Sequence, residues 1–450
     1  MAESEPFPLL PGQAWFMTDL HPRLLHPARW SLARLYRLPP GQSPGSVRAA
    51  VAEIWRRHEA LRIRVVPAGS GWAQRMADVD TPEPFRLVDL SRVPAAERRA
   101  EIERCAIEAH GTLSLEAGPM ARFVHLYLGP DEPGRLFLAM HHLAADGLSF
   151  MLVQSGLEVL LGTPPGTAPG PAPRAAAYRE CVDATVDYAS SAELADELDH
   201  WAAQPWESCV PLPADHPGHT PETVRGWTTL RTSMRGPEVE TLTRRVPAVL
   251  GIDLSDILLA AVSEALTAWS GGALSVRAVH HGRTLRRATG TPVLPRRAAR
   301  TVGWFSTFGC LALRPRTEPD PADYLRRVRD QATAPPNRGA GLALLRWTRP
   351  PGAHRELAGR IWRSAQIMFN FGAVGGRLGG DEILGATDEA FGHRPDPLEP
   401  RLPLHVRANV AGDEVIVNWD YDPRLRRAET IAAVAERCRR TLYEYATKLG

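Results

Sequence analysis

His141-His142-Leu143-Ala144-Ala145-Asp146-Gly147 leaves an apolar, strand-length run, Arg135 to Met140, and enters an apolar helical one, Gly147 to Leu161. Within seven residues it supplies imidazole, a carboxylate and a glycine break. Strand side chains alternate, so His141 and His142 point to opposite faces and only one of them can enter a given cavity. Imidazole, with an unperturbed pKa of about 6.5, is suited to taking a proton from an amine or hydroxyl near neutral pH. His142 is the candidate base and His141 the structural member of the pair. Asp146 can orient the imidazole directly, or turn away toward a cation and fix the loop. The second role is favoured, with Gly147 implying a tight backbone path. A His-His pair alone is as readily a hydrogen-bonded strand end, so the rest of the chain decides.

Upstream of the motif, Ala121 to Leu128 and Arg135 to Met140 read as two strands of a hairpin joined by Gly129-Pro130-Asp131-Glu132-Pro133-Gly134. Ser46 to Arg57 has helical spacing of Val47, Val51, Ile54 and Trp55, with Ser46 as cap, and Leu61 to Val66 alternates as a strand. Downstream, Leu161 to Pro173 holds five prolines and three glycines, which places the main boundary there and predicts lobes at 1–163 and 174–450. The second lobe reads as helical over Tyr178 to Trp201, and again from Ser255, a cap, to Trp269. Short strands follow at Ser275–Val279, Cys310–Leu313, Ile367–Phe371, Leu404–Val410 and Glu414–Trp419, and Ala428–Leu449 closes the chain as an amphipathic helix. Mixed elements in both halves predict an α+β protein.

Composition narrows the class. The chain has 450 residues, longer than one core of about 100–200 residues calls for. Its 44% hydrophobic and 23% charged residues are ordinary for a globular protein, and no stretch approaches the roughly 18 apolar residues of a membrane span. The net charge of +2 gives no reason to expect nucleic acid. The acidic start, Met1-Ala2-Glu3-Ser4-Glu5, argues against a secretory signal and for the cytoplasm. Cys105, Cys181, Cys209, Cys310 and Cys438 are scattered and form no C-x-x-C pair, so neither a disulfide framework nor a metal site is expected.

The stretch His141–Gly147 resembles the HHxxxDG signature of nonribosomal peptide condensation domains, in the chloramphenicol-acetyltransferase-like superfamily. The likeness recurs in order along nearly the whole chain. Pro8-Leu9-Leu10-Pro11-Gly12-Gln13-Ala14-Trp15-Phe16-Met17 is similar to the family's opening motif, and Arg57-His58-Glu59-Ala60-Leu61-Arg62 to its RHExLR segment. Leu198-Asp199-His200-Trp201 with Pro211-Leu212-Pro213-Ala214-Asp215 resembles the tryptophan-to-PLPxD passage, and Thr301-Val302-Gly303-Trp304-Phe305-Ser306-Thr307 the VGxFxN-type motif, departing from it at Ser306.

The resemblance implies two acetyltransferase-like lobes in a V-shaped arrangement, with a tunnel between them and His142 at its middle. It implies a donor carried as a thioester on the phosphopantetheine arm of a carrier protein, an amine or alcohol acceptor, and no metal or cofactor bound by the chain itself. His281-Gly282-Arg283 resembles a stretch whose arginine pairs with the motif aspartate, which assigns Arg283 to Asp146. Met368-Phe369-Asn370-Phe371-Gly372 resembles a strand whose asparagine lies near substrate, which assigns Asn370 as a polar contact. Several details also look like the epimerisation branch. Inverting an α-carbon needs a second acid/base group, which that branch places two residues before the HGR triplet, and here the position is Val279. Amide or ester formation needs one proton acceptor. A coenzyme-A-dependent acyltransferase is the other alternative, without the DFGWG sequence of its plant-type members, and a docking module without chemistry is disfavoured by the retained His142.

Overall fold

The computed structural model describes residues 4–163, 174–218, 226–350, 352–372, 383–391, 396–397, 399 and 402–450. The chain divides into two units. The first comprises Met1–Asp187 with Pro292–Phe305 and Leu378–Asp396, and the second Tyr188–Thr291 with Ser306–Arg377 and Pro397–Gly450.

In the first unit, β1 (Ser31–Arg37), β2 (Ile63–Ala68), β3 (Gly71–Met76), β4 (Phe85–Asp89), β5 (Ala121–Tyr127) and β6 (Arg135–His141) form a four-stranded sheet, in the order β1-β6-β5-β4, and a β2–β3 hairpin. The expected hairpin holds: β5 and β6 pair antiparallel with Ala121 opposite Met140. β6 is apolar at nearly every position because both its faces are covered. Phe137 and Ala139 pack with Ile102, Cys105 and Ala106 of the helix Ala95–His110, while Leu136, Leu138 and Met140 on the other face are equally inaccessible.

In the second unit, β7 (Thr228–Arg235), β8 (Leu274–His280), β9 (Thr307–Leu313), β10 (Ile367–Phe371), β11 (Leu404–Ala411) and β12 (Glu414–Tyr421) form one sheet in the order β7-β12-β11-β10-β8-β9. β10 runs parallel to β8 and β11, and the remaining pairs are antiparallel. Leu274, Val276 and Ala278 of β8 share one core with Ile257, Ala261 and Leu266 of the helix Leu254–Ser270 and with Ile431, Val434 and Leu442 of the helix Ala428–Leu449. Among the described residues no single helix is long and apolar enough to cross a membrane.

Several expectations are corrected. Ser46 does not cap the helix expected to start there: that helix is Pro44–Arg57, with Pro44 at its first position and Ser43 Oγ accepting from the Ser46 N–H at 3.1 Å. Ser255 lies inside the helix Leu254–Ser270, preceded by Asp253, whose carboxylate is engaged by Arg338 at 3.0 Å. The helix expected over Tyr178–Trp201 is two, Tyr178–Ser190 and Ala192–Ala202, because Ser191 turns extended and caps the second through the Leu194 N–H. The strand expected at Leu61 begins at Ile63, after a 3-10 turn over Glu59–Arg62.

The division also differs from lobes at 1–163 and 174–450. The first unit continues past the proline-rich stretch, of which 164–173 lie outside the described residues. Its reason is the buried Tyr178 hydroxyl, which donates to Gln74 Oε1 at 2.9 Å and accepts from Gln13 Nε2 at 3.0 Å. A mid-chain cut by composition alone misses such a return of the chain.

Within the second unit, β9 leaves no room beside the segment 336–339. Asn337 and Arg338 both have positive φ, 51° and 54°, a costly conformation for residues with a Cβ. Asn337 is held there by bonds to both backbone groups of Arg286, and Arg338 by the Asp256 carboxylate at 2.8 Å. A Cβ on Gly309 would meet the Arg338 carbonyl oxygen at 2.5 Å. Gly309→Ala is therefore expected to lower the unfolding free energy by about 1–3 kcal/mol. Urea titration checks this, and an unchanged midpoint would show that the segment yields freely.

Candidate functional site

Pairing register builds the site. Ser31 lies opposite His141, so the residue before β1, Trp30, is brought to His142, whose N–H donates to the Trp30 carbonyl at 3.1 Å. The two histidines then diverge, as alternation requires.

His141 is fully buried, with its ring edge-on to Phe16 at 5.4 Å. Its Nε2 lies 3.0 Å from the Pro27 carbonyl and its Nδ1 accepts from the Leu143 N–H at 3.1 Å. These partners fix the neutral tautomer protonated on Nε2. Burial pushes its pKa down to about 3 against a partly opposing bond to Pro27. With both nitrogens engaged, this ring has no lone pair for substrate.

His142 is held differently. Its ring stacks on the Trp30 indole at 4.6 Å and 24°, and Trp304 closes on it at 4.5 Å and 47°. Trp15 meets both indoles edge-on, and Phe16 stacks on Trp30 at 4.8 Å. Protein surrounds the imidazole almost completely, although the residue keeps a partly accessible edge. Burial lowers its pKa to about 4, opposed by the negative charge of Asp146. Nδ1 is buried and hydrogen-bonds to no other residue, the ring's only backbone support being His142's own, while Nε2 is not buried in the same way. The arrangement offers a neutral imidazole with Nε2 as its reachable acceptor.

Asp146 is the N-cap of the helix Gly147–Gly162. Its Oδ1 accepts from the Ser149 N–H at 2.9 Å and from the Ser149 hydroxyl at 2.8 Å, and its Oδ2 accepts from the Phe305 N–H at 3.0 Å. Ser149 Oγ also lies 2.8 Å from the Gly303 carbonyl and 3.0 Å from the Gly303 nitrogen. Both neighbours of Trp304 are thus tied to the histidine motif, which sets the indole over His142. From the opening motif, Gln13 Nε2 donates to the Leu143 carbonyl at 2.7 Å, and a Cβ on Gly12 would come within 2.6 Å of the Trp304 ring. Gly147 corrects an expectation: its φ is not positive, and a Cβ there would meet nothing within 4 Å, so no tight backbone path requires it.

The remaining candidates lie in the second unit. Arg283 is nearly buried just beyond β8, its Nη1 donating to the His281 carbonyl at 3.2 Å and its N–H to His281 Nδ1. Val279 pairs with Phe308 and His280 with Thr307, so the strand continues and the two side chains take opposite faces. Burial lowers the His280 pKa to about 4, assisted by the nearby Arg338 charge. Asn370 is half-buried on β10, opposite Arg407 of β11. Sequence reading misses Trp30, Trp15 and Ser149 as members of the His142 surroundings. Trp15 lies inside the opening motif, but Trp30 carries no local signal beyond being a tryptophan, since only the β1–β6 register brings it in.

The condensation-domain family model matches residues 3–359. The chain belongs to the condensation-domain family. A linear gramicidin synthase subunit of Brevibacillus parabrevis is 30% identical over 434 residues, covering 95% of this chain but 8% of that synthase, so the chain spans a small part of the relative it matches. Among solved structures, the epimerization domain from the third module of tyrocidine synthetase B aligns over 100% of this chain and 97% of that one, with TM-score 0.84 and 21% identity. The first condensation domain of the calcium-dependent antibiotic synthetase aligns over 99% and 98%, with TM-score 0.67 and 19% identity. At such identities the likeness speaks for the fold. Condensation domains are acyltransferases that act on carrier-bound substrates and form amide or ester bonds.

Asp146→Asn keeps one acceptor but presents an NH2 or loses an oxygen toward Phe305 or Ser149. It is expected to cost about 1–3 kcal/mol, the penalty of a buried donor left without its acceptor, measured by urea unfolding. The depressed pKa of His141 sets the sign of a pH effect. The unfolded chain takes up the proton first, so this contribution is complete above about 6.5 and is lost as pH falls toward about 3. His141→Phe should be less stable at pH 7, yet lose stability less steeply between pH 6 and 5, by up to about 1.4 kcal/mol per pH unit. An equal slope in both proteins would contradict the buried neutral ring.

Proposed function

We propose that this condensation-family protein transfers an acyl or aminoacyl group from a carrier-protein thioester to an amine or hydroxyl, with His142 as the proton acceptor. Nε2 takes the proton as the nucleophile attacks the thioester carbonyl, and the tetrahedral intermediate collapses with cleavage of the C–S bond. The departing sulfur receives that proton from the imidazolium, so the ring ends neutral. The donor arrives on the phosphopantetheine arm of a carrier protein, and the chain supplies no cofactor of its own. Arg283 is proposed as the cation for Asp146, Asn370 as a polar contact for substrate, and the cytoplasm as the place of action.

One observation carries the reading: Nε2 of His142 is the accessible nitrogen of a ring that is neutral at physiological pH. Epimerisation is the second reading, since an epimerization domain shares this fold with a TM-score of 0.84. Against it stands Val279, since one imidazole cannot serve both faces of an α-carbon and valine exchanges no proton. The assay offers the protein an aminoacyl carrier thioester in deuterium oxide, with and without a panel of amines and alcohols. The expected result is amide or ester product and no deuterium at the α-carbon. Incorporation with inversion, and no condensation with any acceptor, would move the assignment to an epimerase.

A further inference from the structure

In proton-relay sites a histidine is commonly oriented by a carboxylate on its Nδ1–H, which fixes its tautomer and stabilises its cation. That device is absent here. His142 Nδ1 is buried and meets no other residue's polar group, only His142's own backbone lying close to the ring, and the oxygens of Asp146 accept from Ser149 and Phe305. What touches the imidazole is aromatic: Trp30 at 4.6 Å, nearly parallel, and Trp304 at 4.5 Å.

We propose that Trp30 and Trp304 are the positioning residues of His142, two indoles that fix the ring's orientation and stabilise the imidazolium formed during acyl transfer. The inference rests on His142 acting as the base. Each indole is itself anchored. Trp30 is fixed by its carbonyl, which accepts the His142 N–H, and by the stacked Phe16. Trp304 is fixed on both flanks, Gly303 by Ser149 and Phe305 by Asp146, and from behind by the side-chain-free Gly12.

The physical need comes from burial. Desolvation holds the ring neutral and ready to accept, but it also penalises the imidazolium produced. An indole face attracts a cation within about 6 Å, most strongly where water is excluded. Trp30, face to face with the ring at 4.6 Å, and Trp304, tilted against it at 4.5 Å, therefore offset part of the penalty without hydrating the ring. The titratable groups beside His142 are Asp146, whose charge raises its pKa, and His141, which stays neutral with both nitrogens engaged. Neither side chain is itself replaced in the variants that follow.

The test compares Trp30→Leu and Trp304→Leu with Trp30→Phe and Trp304→Phe. Leucine keeps an apolar neighbour without a π face, and phenylalanine restores a weaker one. The first arm needs no substrate: crystal structures should show His142 in one rotamer in the parent and the Phe variants, and in more than one in the Leu variants. A single unchanged rotamer in both Leu variants would overturn positioning. The second arm measures carrier-thioester condensation against pH. Each Leu variant should lose roughly tenfold in kcat with KM within about twofold, equivalent to about one pKa unit of imidazolium stability, and Phe should recover part of it. Parent kcat in both Leu variants would overturn the electrostatic role. So would an acid limb that rises toward about 6.5 in Leu and Phe variants alike, because the rings would then only exclude water. If the parent condenses nothing while the rotamer arm holds, the proposed activity fails and the positioning by Trp30 and Trp304 stands.

Discussion

The carboxylate of Asp146 holds together elements that sequence keeps apart. One oxygen caps the helix Gly147–Gly162 through Ser149, and the other accepts the Phe305 N–H, from a segment about 160 residues away. An N-cap satisfies an orphan donor of a helix, and a buried carboxylate needs every available donor. Both needs are met in one group, so the helix start, the histidine loop and the 303–305 segment are mutually dependent. Ser149 strengthens this, its hydroxyl donating to Asp146 while accepting from the Gly303 N–H. The geometry around His142 is a consequence of that junction.

Adjacent histidines with the same intrinsic chemistry acquire opposite properties from this frame. His141 spends both nitrogens on backbone groups of Pro27 and Leu143 and becomes part of the packing. His142, one residue beyond the strand, is left with a reachable nitrogen and aromatic walls. Burial depresses both pKa values, so the two rings differ in hydrogen bonding rather than in charge state.

Much of this is legible in the amino-acid sequence. Strand alternation separates His141 from His142, and the order of motifs leads to the family that the chain belongs to. The α+β class and the β5–β6 hairpin follow from apolar runs and turn residues. What escapes is pairing between distant strands: nothing local marks β1, and with it is lost the register that brings Trp30 to His142. Caps slip by two or three residues, at Asp253 and Ser43, because serine and aspartate crowd those starts and sequence offers no way to choose. The Pro-rich stretch is an obvious break in composition, but a unit that recovers Pro292–Phe305 is defined by contacts such as those of Gly303 and Phe305. Gly147 misleads because a glycine at a helix start suggests strain that its backbone does not have.

The proposed chemistry depends on one proton acceptor, His142. The most direct measurement is the single-turnover rate of acyl transfer from a loaded carrier protein to an amine or alcohol acceptor, by chemical quench, for the parent and for His142→Ala with its fold verified by circular dichroism. With His142 as the base, the bond-forming step slows by about 10²–10⁴ in the variant, the usual contribution of a general base, with carrier binding little changed. A bond-forming rate in His142→Ala within a few-fold of the parent would contradict it.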